Sequence, residues 1–244
     1  MIKNIIFKKI KFFNFNKNNF DNIIKKRGLF LFPSGPGLSD LENNLPYHNA
    51  LAKADFVFLD SGYFVLLLKI LKNINVNKCS GYIFFKYLIN FLKKNRNIKI
   101  LSVDPNKDLS NSNIKLFKKI RLNKSNLFNY ISPLYNSKSI FDKKLIDKIN
   151  KIKPKYILIN IGGGTQEILG LYIKKKCKHK CTILCTGAAI AYFTGDQAPM
   201  SSFFDSFYLG WFVRIFFNPK RFLPRYLKTL KLFFIVLRNK VIIN

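Results

Sequence analysis

Acidic side chains are scarce in this sequence. Twelve Asp and Glu face 43 Lys and Arg, a formal charge of +31 over 244 residues. No acidic cluster resembling a D-x-D metal site occurs, so a metal held by acidic side chains is not expected. Cysteine is also sparse. Cys177, Cys181 and Cys185 sit with His179 in CKHKCTILC, but the paired C-x-x-C of zinc sites is missing, and the cysteines read better as small buried side chains. Long apolar runs are absent too: YFVLLLKIL and LKLFFIVL are about half the ~20 residues needed to cross hydrocarbon. Met1 to Phe20 mixes Lys and Asn into its apolar residues and lacks a small-residue cleavage site, so a secretory signal is not expected. These absences describe a cytoplasmic protein whose attachment to a membrane surface stays open. There is no internal repeat and no disordered linker.

A field of +31 attracts polyanions: nucleic acid, anionic lipid headgroups or phosphorylated substrates. Lys is spread among Asn, Ile and Phe along the whole chain, as in KKNRNIKI, so much of the excess reads as a solvated surface of biased composition. With 48% hydrophobic residues the chain holds enough apolar material for one large domain or two small ones.

Short apolar runs alternate with amphipathic segments, the signature of an α/β layer fold: an open, mainly parallel, Rossmann-like sheet flanked by helices. The expected strands are GLFLFP, ADFVFLD, IKILSVD, KYILINIG and KCTILCTG. Helices are expected over 40–52, 62–71, 81–94, 110–119, 141–151 and 166–176. Residues 1–199 form the expected core, of which 1–27 are hard to interpret. Residues 200–244 show no clear strand and read as a basic, aromatic helical appendage punctuated by Pro219 and Pro224. Open parallel sheets bind ligands at the carboxyl ends of their strands, so the strand-to-helix junctions are where chemistry is expected.

Four junctions stand out. Asp60, ending ADFVFLD, is placed either to act as a general base or to cap the following helix, and Asp104 in LSVDPNK has the same placement. INIGGGTQEILGLYIKKK puts three glycines before a helix, which suits a phosphate or sugar diphosphate, or else a tight turn with a capping box around Thr165. The glycines lack the G-x-G-x-x-G spacing and no G-K-[ST] follows, so nicotinamide chemistry and nucleotide hydrolysis lose support. CTGAAIAYFTGDQAP has the small residues that permit a nearby ligand or tight packing. GWFVRIFFNPKRFLPRYLK carries Arg214, Lys220, Arg221, Arg225 and Lys228 among aromatics, a pattern suited to diphosphates, a membrane interface or stacked single-stranded nucleic acid.

Taken in order, these pieces resemble the WecG/TagA/CpsF glycosyltransferase family. GGGTQE is similar to its G-x-P-x-Q-E, and GAAIAYFTGDQAP to its G-x-x-x-d-x-x-x-G-x-x-x-x-A-P. WFVRIFFNPKRFLPRY keeps Trp211, Arg214, Pro219, Arg221, Arg225 and Tyr226 in register with W-x-x-R-x-x-x-x-P-x-R-x-x-x-R-Y. The resemblance implies a metal-independent, cofactor-free, inverting transfer of a sugar, often of N-acetylmannosamine type, from a UDP-sugar to a polyprenyl-diphosphate-linked sugar. It implies Asp60 as the base, and Gln166 beside the sugar or diphosphate. It also implies Arg214, Arg221 and Arg225 facing phosphates, and an appendage that covers the site at an anionic membrane surface. Gly163, Gly164, Thr165 and Glu167 complete the expected cradle. The chain departs from the family where D-G becomes Asp60-Ser61-Gly62 and where R-x-P-G becomes Lys78-Cys79-Ser80-Gly81, an ammonium at an expected anion contact. No clear T-x-N is present, FPSGPGLSD standing near its position, and Gly164 replaces the proline before Q-E. Two other readings stand beside this one: a sugar-nucleotide-binding assembly protein without catalysis, and, less favoured, a basic nucleic-acid-binding protein.

Overall fold

A computed structural model describes residues 2–136, 139–196, 215–216 and 218–244, without the side chain of Arg221. The strands are β1 (Asn4–Phe7), β2 (Ile10–Phe13), β3 (Gly28–Leu31), β4 (Phe56–Phe58), β5 (Ile100–Asp104), β6 (Leu127–Ile131), β7 (Tyr156–Ile159), β8 (Thr182–Cys185) and β9 (Val241–Ile243). They form one sheet in the order β6-β5-β7-β8-β3-β4-β2-β1-β9. From β6 to β2 every pairing is parallel; β1 runs antiparallel to both β2 and β9.

The central strands are buried on both faces, which is why they read as unbroken apolar runs. Strict alternation divides their side chains between two cores. Leu29, Leu31, Val57, Leu59, Leu101, Val103, Ile157, Ile159 and Ile183 face one core. There they meet α3 (Leu45–Ala52), α4 (Gly62–Lys72), α7 (Lys143–Ile152), α8 (Thr165–Lys176) and α11 (Lys231–Arg238). Phe30, Phe32, Phe58, Ile100, Tyr156, Leu158 and Leu184 face the other, against α1 (Phe20–Ile24), α5 (Gly81–Lys94) and α6 (Lys107–Lys119). Phe32 stacks on Phe58 there at 4.6 Å between ring centroids.

Helix starts follow from side-chain caps. Asn44, Ser61, Ser80, Asn106 and Asp142 each accept a backbone N–H from the first turn of α3, α4, α5, α6 and α7, at 2.9 to 3.2 Å. All five strands expected from the sequence are present. The helix expected over 40–52 begins only at Leu45, as α3, and a short helix that was not expected, α2 (Gly35–Ser39), precedes it. The N-terminal segment, opaque in sequence, supplies β1, β2 and α1. At the other end the helices α9 (Ala191–Thr194), α10 (Pro219–Thr229) and α11 lead into β9, a strand where only helix was expected, which hydrogen-bonds to β1.

Candidate active site

At the carboxyl ends of the parallel strands lies a cavity of about 750 Å³, within the size range of small-molecule sites. Its walls come from the segments after β3 (Phe32, Ser34, Gly35), β4 (Asp60 to Tyr63), β5 (Pro105), β7 (Asn160 to Gly163) and β8 (Thr186 to Tyr192). The start of α5 (Lys78, Ser80 to Tyr82), Leu66 of α4, Leu109 and Asn113 of α6, Gln166 and Glu167 of α8, Asp196, one face of α10 (Phe222, Arg225, Tyr226, Thr229) and Leu230 after it complete it. Tyr82 stacks on Phe193 at 5.2 Å and meets Tyr192 edge-on at 5.7 Å, which makes that wall aromatic.

Asp60 does not cap the helix that follows it. Ser61 caps α4, its hydroxyl accepting the Phe64 N–H at 3.2 Å. Asp60 Oδ1 instead accepts the Gly81 N–H at 2.8 Å, so the carboxylate sits at the start of α5. That approach requires a glycine: a Cβ on Gly81 would collide with the Thr186 carbonyl oxygen. The start of α5 is thereby clamped between the end of β4 and the end of β8. Asp60 stays partly exposed on the cavity wall. Asp104 has the same place in sequence and a different environment. It is 0% exposed, and its Oδ1 accepts from Ser102 Oγ, Asn113 Nδ2 and Asn160 Nδ2 at 2.8 to 2.9 Å.

The glycine turn is set by backbone conformation. Gly162 and Gly164 have φ of +101° and +94°, values that side-chain-bearing residues rarely adopt. Gly164 is the N-cap of α8, and Glu167, not Thr165, supplies the capping side chain: its Oε2 accepts the Gly164 N–H at 2.7 Å. Glu167 is 1% exposed. Burial pushes its carboxyl up to about 7; hydrogen bonds from Gln166 and Gly164 oppose the rise, and the Asp60 charge adds to it. The first turn of α8 therefore already has a carboxyl group of its own, whose neutral form burial favours.

Of the residues singled out in sequence, Asp60, Lys78, Gly163, Gln166, Glu167 and Arg225 line this one cavity. Gly164 and Thr165 stand at the start of α8 without lining it. Arg214 lies outside the described residues, as does the side chain of Arg221, whose backbone belongs to α10. Asn160 and Asn113 were not anticipated. Asn160 sits inside the INIGGG stretch, immediately before the glycines. Cys181 and Cys185 are buried, Cys185 donating to the Gln166 carbonyl at 3.3 Å, while His179 Nε2 bonds the Pro154 carbonyl at 3.0 Å. Among the described residues, no helix is long and apolar enough to cross a membrane.

No curated protein sequence matches the chain. The sequence model of the Glycosyl transferase WecG/TagA/CpsF family matches residues 6–243. The chain belongs to that family, whose members are glycosyltransferases of cell-surface polysaccharide biosynthesis.

Proposed function

We propose that this member of the family transfers a hexose, of N-acetylmannosamine type, from a UDP-sugar to a polyprenyl-diphosphate-linked sugar with inversion. The observation that carries the reading is the meeting of a partly exposed carboxylate, Asp60, with two cationic side chains, Lys78 and Arg225, in one cavity at the strand ends. A single displacement at an anomeric carbon needs that set. Asp60 takes the proton of the acceptor hydroxyl as its oxygen forms the new bond to the anomeric carbon. The bond from that carbon to the diphosphate oxygen breaks on the opposite face, and UDP leaves with the electron pair. Lys78 and Arg225 offset the charge that develops on the leaving diphosphate, in a partly enclosed site where such interactions are stronger than in water. Arg214 and Arg221 join this set in the proposal.

The reading puts the protein on the cytoplasmic face of the membrane, where a polyprenyl acceptor resides. Its support is an exposed apolar stripe on α10 and α11, Leu223, Leu227, Leu230, Phe234 and Leu237, interspersed with Lys228 and Lys231.

The test is transfer from UDP-N-acetylmannosamine to a polyprenyl-diphosphate-linked sugar in detergent or vesicles. Asp60→Asn keeps the size of the side chain and the bond to Gly81, and is expected to lower kcat by about 10²- to 10⁴-fold. Equal turnover by wild type and Asp60→Asn would remove Asp60 as the base. Tight nucleotide-sugar binding without transfer would favour the non-catalytic assembly role.

A further inference from the structure

A side-chain amide stands on each side of the glycine turn, and the two are held in the same manner. Asn160 directly follows β7, and its Nδ2 donates to Asp104 Oδ1 at 2.9 Å and to Ser102 Oγ at 3.1 Å. Gln166 is the second residue of α8, and its Nε2 donates to Glu167 Oε1 at 3.1 Å and to the Cys185 carbonyl at 3.5 Å. Asp104 Oδ1, which already accepts from Ser102 and Asn113, and the Cys185 backbone carbonyl only accept, so in both residues the NH₂ group is the one turned toward these partners. The carbonyl oxygens are thereby left over. Three buried side-chain oxygens among the described residues make no hydrogen bond, Asn160 Oδ1, Gln166 Oε1 and Asp104 Oδ2; of these three residues Asn160 and Gln166 line the cavity, and Gln166 is only 1% exposed. Native proteins leave few buried polar atoms unpaired, and each unpaired one is destabilising.

We propose that Asn160 and Gln166 form a pair of fixed acceptors that takes two hydroxyl or N–H donors from the nucleotide sugar, with Asp104 as the positioning residue that fixes the Asn160 amide. The pair selects the hydroxylated part of the ligand. It does not hold the diphosphate, because phosphate oxygens are themselves acceptors and would meet these carbonyl oxygens lone pair to lone pair. The glycine turn, expected from sequence to cradle a diphosphate, is thus flanked by groups suited to a sugar, and the diphosphate falls to Lys78 and Arg225. The inference rests on the sugar-nucleotide reading above.

Calorimetric titration separates the two ideas. Wild type, Asn160→Ala and Asp104→Asn are titrated with UDP-N-acetylmannosamine, with its 2-epimer UDP-N-acetylglucosamine and with inorganic pyrophosphate, which has no sugar hydroxyls. The Asp104→Asn carboxamide can donate as well as accept, so it no longer dictates which way the Asn160 amide faces. Each variant is expected to bind the tighter UDP-sugar about tenfold more weakly, in line with one lost hydrogen bond, while pyrophosphate affinity stays within about twofold. A merely structural defect would weaken both ligand types together. An unchanged ratio of UDP-sugar to pyrophosphate affinity in whichever variants fold overturns the inference and leaves the transferase reading standing. Failure of wild type to bind either UDP-sugar overturns both.

Discussion

Asp60, Asp104 and Glu167 are three carboxyl groups within one shell of the cavity, and their surroundings set them to different tasks. Ser102, Asn113 and Asn160 converge on one oxygen of the buried Asp104, whose other oxygen makes no hydrogen bond, so Asp104 holds other groups in place. Asp60 takes one backbone N–H at the start of α5 while lining the cavity wall, where a substrate hydroxyl can reach it. Glu167 is fully buried and its carboxyl is pushed up to about 7, mainly by desolvation. The sign of the consequence for stability follows directly. A carboxyl whose folded pKa lies above its unfolded value favours folding fully below pH ~4.5, and that contribution is lost as pH rises through ~7. Glu167→Gln preserves an acceptor for the Gly164 N–H but cannot ionise. The stability of wild type relative to this variant is therefore expected to fall by about 3 kcal/mol between pH 4.5 and 8. Urea unfolding of both proteins at the two pH values measures it, and a pH-independent difference would mean that Glu167 titrates as it does in the unfolded chain.

Elements meet at the site through close backbone approaches, and Gly81 shows how little room they leave. Its missing side chain lets the first turn of α5 press against the Thr186 carbonyl while its N–H reaches Asp60. Gly81→Ala is expected to force those segments apart, lowering stability by about 1 to 3 kcal/mol and reducing transfer at the same time. Thermal unfolding and kcat on one preparation check it; a stable, fully active variant would show that the clamp is dispensable. The elements around this clamp were legible because strands buried on both faces read as apolar runs bounded by Gly, Pro and Asp. Those farther out were not. The β1–β2 hairpin turns through Lys8 and Lys9 at φ of +48° and +64°, a two-residue turn that normally announces itself with Asn or Gly. At the edge, β6 is half exposed and so presents no apolar run, and β9 is three residues following a long helical stretch. Asp60 and Gln166, singled out from motif order, both line the cavity. The tie between Asp104 and Asn160 joins residues 56 apart at the ends of adjacent strands, a contact that the sheet order β5-β7 creates.

For the molecule as a whole, the question is what +31 and an exposed apolar stripe do together. Charge alone draws the protein toward any polyanion and weakens with salt. The stripe supplies a contribution that salt does not screen. Leu223 and Leu227 are four residues apart on α10, Phe234 and Leu237 three apart on α11, and Leu230 joins the two helices, so the pair presents an exposed apolar face. That face sits on a firm base. A Cβ on Gly35 of α2 would come within 2.9 Å of the Thr229 methyl on α10, Lys72 Nζ of α4 donates to the Leu237 carbonyl at 3.1 Å, and β9 pairs with β1. Burying three half-exposed side chains of this size in a lipid interface is favourable by on the order of 1 kcal/mol each. Replacing Leu227, Leu230 and Phe234 together by Ser is thus expected to weaken binding to anionic vesicles by about 100-fold at physiological salt. Its retention on DNA at low salt, which depends on the unchanged positive charge, is expected to stay the same. Vesicle co-sedimentation alongside DNA retention across a salt series distinguishes the two. Equal losses on both would mean that the stripe serves the fold; unchanged vesicle binding would mean that the lysines alone hold the protein at the surface.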